Sequence, residues 1–78
     1  QKAIVDAEAF RKLGLLDKAV EALHIALELD PNSVPIRQKL REILVDAGER
    51  EPAIVETLNI AIIHLHNQDA DAAEPLVY

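Results

Sequence analysis

A chain of 78 residues makes one domain at most, and its 14 acidic against 8 basic side chains leave a net charge of −6, so phosphate backbones are repelled on average. Cys is absent, which excludes disulfides and thiolate chemistry, and the apolar runs fall far short of the roughly 20 residues of a membrane span. Neither nucleic-acid binding nor membrane insertion is expected. Half of the residues are hydrophobic, yet Phe10 and Tyr78 are the only aromatics. The core must therefore be assembled from Leu, Ile, Val and Ala, the stock of helix-on-helix packing.

Ala3, Ala7, Phe10 and Leu13 recur at three- and four-residue intervals and predict a first helix over 2–13, ended by Gly14. Asp17 is placed to cap a second helix over 17–29, whose stripe of Ala19, Val20, Leu23, Ala26 and Leu27 stops before Asp30-Pro31-Asn32. Ser33 caps a third helix over 34–47, with Pro35 tolerated in its first turn and Gly48 after it. A fourth starts near Glu51-Pro52 and is expected to fray at His66-Asn67. Asp69 or Asp71 then caps a partial helix over 70–78, in the acidic tail that carries Asp69, Asp71 and Glu74 and no basic group.

The three-residue connections after the first and third helices force antiparallel hairpins. The two hairpins are related by a shift of 34: Phe10 with Leu44, Gly14 with Gly48, Asp17 with Glu51, Ala19 with Ala53, Val20 with Ile54 and Leu23 with Thr57. A turn glycine, a capping acid, a small interface residue and several apolar positions returning together constitute an internal repeat.

The stretch from Gly14 to Asn32, with small Ala19 and Ala26 and the closing Pro31, resembles the tetratricopeptide repeat family. The match is strongest over 3–33 and weaker over 34–67, where Ile60 stands for Ala26 and Leu65 for Pro31; losing that proline lets the fourth helix run longer. The resemblance implies an all-α fold, a right-handed superhelix of antiparallel helix pairs. It has repeat one over 1–33, repeat two over 34–67, and a partial helix pair or cap over 70–78. It also implies a concave face lined by the first helix of each pair, where a peptide or protein segment is held. By correspondence the face is made of Ile4, Val5, Glu8, Arg11 and Lys12 in the first unit and Gln38, Lys39, Glu42, Val45 and Asp46 in the second. Arg11, Lys12 and Lys39 favour an acidic segment, and Glu8, Glu42 and Asp46 oppose it. Some members clamp a terminal carboxylate with basic and amide groups; Ile4 and Glu8 stand at the first-unit positions, so that pattern is not met.

The expected function is a protein-interaction module or scaffold in the cytoplasm, without cofactor or metal. The alternative is a structural module that forms homo-oligomers through exposed repeat ends, since about three units are usually needed for independent stability. Leu76, Val77 and Tyr78 are the candidates at one end, and Ile4 and Val5 at the other. The start at Gln1 rather than Met points to a processed chain or an excerpt, with room for an upstream targeting segment. Enzymatic activity is not expected: there is no Gly-rich phosphate loop, Ser33 is the only serine, and His64 and His66 diverge on a helix.

Overall fold

The computed structural model describes the backbone of residues 2–76 and the side chains of residues 2–67. Four helices follow one another, α1 (Lys2–Lys12), α2 (Leu16–Leu29), α3 (Val34–Asp46) and α4 (Arg50–Leu76), with no strand among the described residues. Each packs on its neighbours in the chain, and α1 also meets α3.

The 34-residue shift is built into the turns. Gly14 and Gly48 both adopt φ +77°. The amide of Leu15 donates to the Phe10 carbonyl at 2.8 Å and that of Gly14 to the Arg11 carbonyl at 3.0 Å; Glu49 to Leu44 and Gly48 to Val45 repeat the pair at 2.9 and 3.0 Å. This is the Schellman arrangement, in which a left-handed residue lets two amides satisfy the last carbonyls of a helix. A Cβ at either glycine would meet nothing within 4 Å, so the left-handed backbone alone demands glycine. Gly14→Ala and Gly48→Ala are each expected to cost about 1 kcal/mol, and together about 2 because the sites are separate. Urea unfolding of the three variants checks this; a neutral double variant would contradict it.

Asp17 does not cap α2. The capping position belongs to Leu15, whose side chain makes no cap hydrogen bond, and Asp17 lies inside the first turn, where its charge suits the helix dipole. Ser33 does cap α3, accepting from the Ile36 amide at 3.4 Å, and Pro35 falls in the first turn. The largest difference from expectation is at α4. It runs unbroken past Asn67 to Leu76, so residues 70–76 continue the fourth helix instead of opening another. No Gly or Pro interrupts Ala53 to Glu74, and Leu65 takes the place of the proline that ends α2.

The core is one cluster from all four helices, including Ala7, Ala19, Leu23, Leu27, Leu44 and Ala53. Its largest fully buried members are Leu23 on α2 and Ile36, Leu40 and Ile43 on α3. Three of these four come from α3 because it is the helix that packs on all the others. Shifted back by 34, the same α3 positions in α1 are Lys2, Asp6 and Ala9, which lie in solvent. An outer helix has no second neighbour to cover that face, and its sequence there is charged or small accordingly.

Candidate protein-binding face

The contact between α1 and α3 is made by charge at its surface. Lys39 Nζ on α3 donates to Glu8 Oε1 on α1 at 2.9 Å, and Arg11 Nη1 donates to the same oxygen at 3.0 Å. Arg11 also pairs with Asp46 and lies 3.9 Å from Glu42, while Lys39 is 3.5 Å from Glu42. Five of the ten residues expected on this face thus form one network, in which Arg11 has three partners and Glu8 joins Arg11 to Lys39. Its two cations meet three carboxylates, so Arg11 and Lys39 are engaged within the chain instead of awaiting an acidic ligand.

The remaining five divide. Val5 and Val45 are 66% and 61% exposed and flank the network on opposite sides by helical spacing. Lys12 and Gln38 are exposed beside it. Ile4 is half-buried and packs against the core cluster, which makes it an edge of the core more than part of the face. The surface is therefore an internally paired polar centre with one carboxylate in excess and an aliphatic residue on either side.

Hydrogen bonds from Lys39 and then Arg11 hold the Glu8 carboxyl below its ordinary 4.5, against a smaller opposing effect of desolvation. The bond to Glu8 likewise raises Lys39 and Arg11 above their ordinary values. A depressed carboxyl contributes stability that is present above its unfolded value and lost as pH falls through the folded one. Raised cations contribute stability present below their unfolded values and lost as pH rises through the folded ones. The melting temperature of the wild type should therefore exceed that of Glu8→Gln at about pH 7, with the gap closing by about pH 3. Thermal melts followed by circular dichroism test this, and a gap that persists in acid would contradict the assignment.

A second ion pair was not anticipated. Arg37 Nη1 donates to Glu56 Oε1 at 2.8 Å, and Arg37 Nε donates to the Pro31 carbonyl at 2.9 Å. Glu56 is only 7% exposed. This pair ties α3 to α4 and to the turn between the hairpins, a structural role away from the α1–α3 face. The internal repeat carried its signal: shifted by 34, the two positions are Ala3 and Ala22, so two small residues of hairpin one become opposite charges together in hairpin two.

Of the end-face candidates, Val77 and Tyr78 lie outside the described residues, as does the side chain of Leu76 at the end of α4. At the other end Val5 is exposed and Ile4 is not free. The aliphatic surface instead lies along α4, where Ile54, Val55, Leu58, Ile62 and Leu65 are all exposed. Its signal was the excess of apolar residues from Ile54 to Leu65, too many for a helix with one buried face. His64 and His66 both sit exposed on a regular part of α4, and two-residue spacing points them apart. Among the described residues no group of three His, Asp or Glu side chains is placed to hold a metal, and no helix is long and apolar enough to cross a membrane. No family model, curated protein or solved structure matches the chain.

Proposed function

We propose that the chain is a protein-interaction module of tetratricopeptide-like helix pairs whose α1–α3 face holds a segment of another protein, binding it without acting on it chemically. The observation that carries this reading is the cross-braced pair of first helices: Glu8, Arg11, Lys39 and Asp46 lock α1 to α3 while Val5 and Val45 stay in water on either side. A rigid platform lowers the ordering cost of binding. Aliphatic edges around an internally paired centre with one carboxylate in excess suit a segment of mixed apolar and polar character, not a strongly acidic one.

Selection of peptides from a random displayed library on the purified chain tests the proposal. Selected peptides should carry aliphatic anchors without an acidic bias. They should also lose affinity about tenfold toward a Val5→Gln, Val45→Gln double variant of unchanged helicity. A library that yields no binders, or binders indifferent to both substitutions, would overturn it. Arg11→Glu with Lys39→Glu is not a clean test of binding, since both side chains also brace α1 against α3.

A further inference from the structure

The two faces of α4 differ from those of α2 in one respect. Ala53, Glu56 and Ile60 are buried, as a packed helix requires, but on the far side Ile54, Val55, Leu58, Ile62 and Leu65 are between 51% and 62% exposed. Their spacing makes one stripe. Shifted by 34, these positions in α2 are Val20, Glu21, His24, Glu28 and Pro31. Hairpin one thus shows water a face with polar Glu21, His24 and Glu28, and hairpin two a wholly aliphatic one. From Pro52 to Asn67 the only Asp, Glu, Lys or Arg is Glu56, which is turned away into its pair with Arg37. Among the described residues, charge returns only at one end of the stripe, where Glu51 precedes Ile54 on the same face and Arg41 and Arg50 lie beside Ile54.

We infer that this stripe is a self-pairing surface: two copies of the chain associate about a two-fold axis with their α4 helices antiparallel. Three observations select a second copy as the occupant. The stripe is self-complementary, since about a midpoint at Ile60 Leu58 maps onto Ile62 and Val55 onto Leu65, with Ile54 meeting His66 at the edge. An isologous contact requires that property, because each residue must suit its counterpart reflected through the axis. Next, open-ended stacking would leave the stripe bare, since its α2 counterparts Glu21, His24 and Glu28 stay exposed beside α3, and it is disfavoured by the other end of the molecule. If α1 of a second copy sat on α4 as α3 sits on α2, Lys2 and Asp6 would take the places of Ile36 and Leu40, which are 1% and 0% exposed. Burying such ions without partners costs several kcal/mol. Finally, the stripe offers on the order of 600 Å² of apolar surface per copy, and two such stripes reach the roughly 1,000 Å² total of a specific interface.

The pairing places Leu58 against Ile62 of the partner subunit. It uses a different face from α1–α3, so it stands or falls separately from the proposed segment binding. The test is molar mass by light scattering on the whole chain from about 1 µM to about 1 mM, a span that covers the affinities an interface of this size gives. The expected result is a monomer passing to a dimer and no further. Leu58→Glu alone and Ile62→Lys alone should each weaken the dimer about 100-fold with helicity unchanged, because both positions are exposed in the single chain. An equimolar mixture of the two variants should recover a dimer, since it sets one acid against one base and restores one aliphatic pair. A wild type that stays monomeric would assign the stripe to a different partner and overturn the inference. Mass that grows without limit, or a dimer indifferent to both substitutions, would overturn it as well.

Discussion

Replacing Arg37 with Ala is expected to destabilise the chain by about 3 kcal/mol, the effect of leaving a buried carboxylate without its partner. Glu56 has its side chain 9% exposed and Arg37 16%, so water screens the pair little and cannot rehydrate Glu56 without opening the α3–α4 contact. The Pro31 carbonyl loses its donor in the same variant. A domain with stability toward the low end of 5–15 kcal/mol would lose much of its margin. The double variant Arg37→Met, Glu56→Leu removes both charges and fills the space with apolar groups, and it should recover most of the loss. Urea unfolding of the single and double variants checks both halves; a single variant as stable as the wild type would show that the pair contributes little.

Leu40→Ala should cost about 2–5 kcal/mol, the range for truncating a fully buried leucine. Leu40 is 0% exposed and lies in the middle of α3, the helix that meets all three others, so its removal leaves a cavity that no single helix can shift to fill. The control is Leu13→Ala: Leu13 is 72% exposed, and its truncation should change stability by less than about 0.5 kcal/mol. Melts or denaturant titrations of the two variants side by side make the comparison. Similar losses would mean that the core is not centred on α3.

Much of this architecture was legible because it is written in short-range signals. The 34-residue shift appeared in the glycines, and Gly14 and Gly48 take the same left-handed conformation with the same pair of hydrogen bonds. Ser33 and Pro35 marked the start of α3 by side-chain and ring chemistry that acts within one turn. What escaped was decided at longer range. Arg37 and Glu56 look like ordinary surface charges until the packing of α3 on α4 encloses them, although their replacement of Ala3 and Ala22 was available to a position-by-position comparison. The length of α4 was half foreseen. The loss of Pro31's counterpart at Leu65 removes the stop, but Asp69 and Asp71 were read as a new cap when they continue a helix already under way. Capping and interior aspartates differ in backbone geometry, which residue type does not reveal.

The pairing of charges across the α1–α3 face was only half legible. The sequence sets Arg11 and Lys39 against Glu8, Glu42 and Asp46 on one face, and the structure pairs them directly, Lys39 with Glu8 and Arg11 with Asp46 across the α1–α3 boundary. Each helix read separately shows charges spaced along its own axis, and only side-by-side packing pairs them. The same limit hid the aliphatic side of α4, because an apolar excess does not say which residues another helix will cover.

The most direct test of the central claim, that the α1–α3 face holds a protein segment, is to record amide chemical shifts while a library-selected peptide is added to the isotope-labelled chain. The account predicts that the shifts cluster on α1 and α3 around Val5, Glu8, Lys12, Gln38 and Val45, with Leu58 and Ile62 unmoved at fixed chain concentration. Changes confined to α4, or spread evenly through the core, would contradict it.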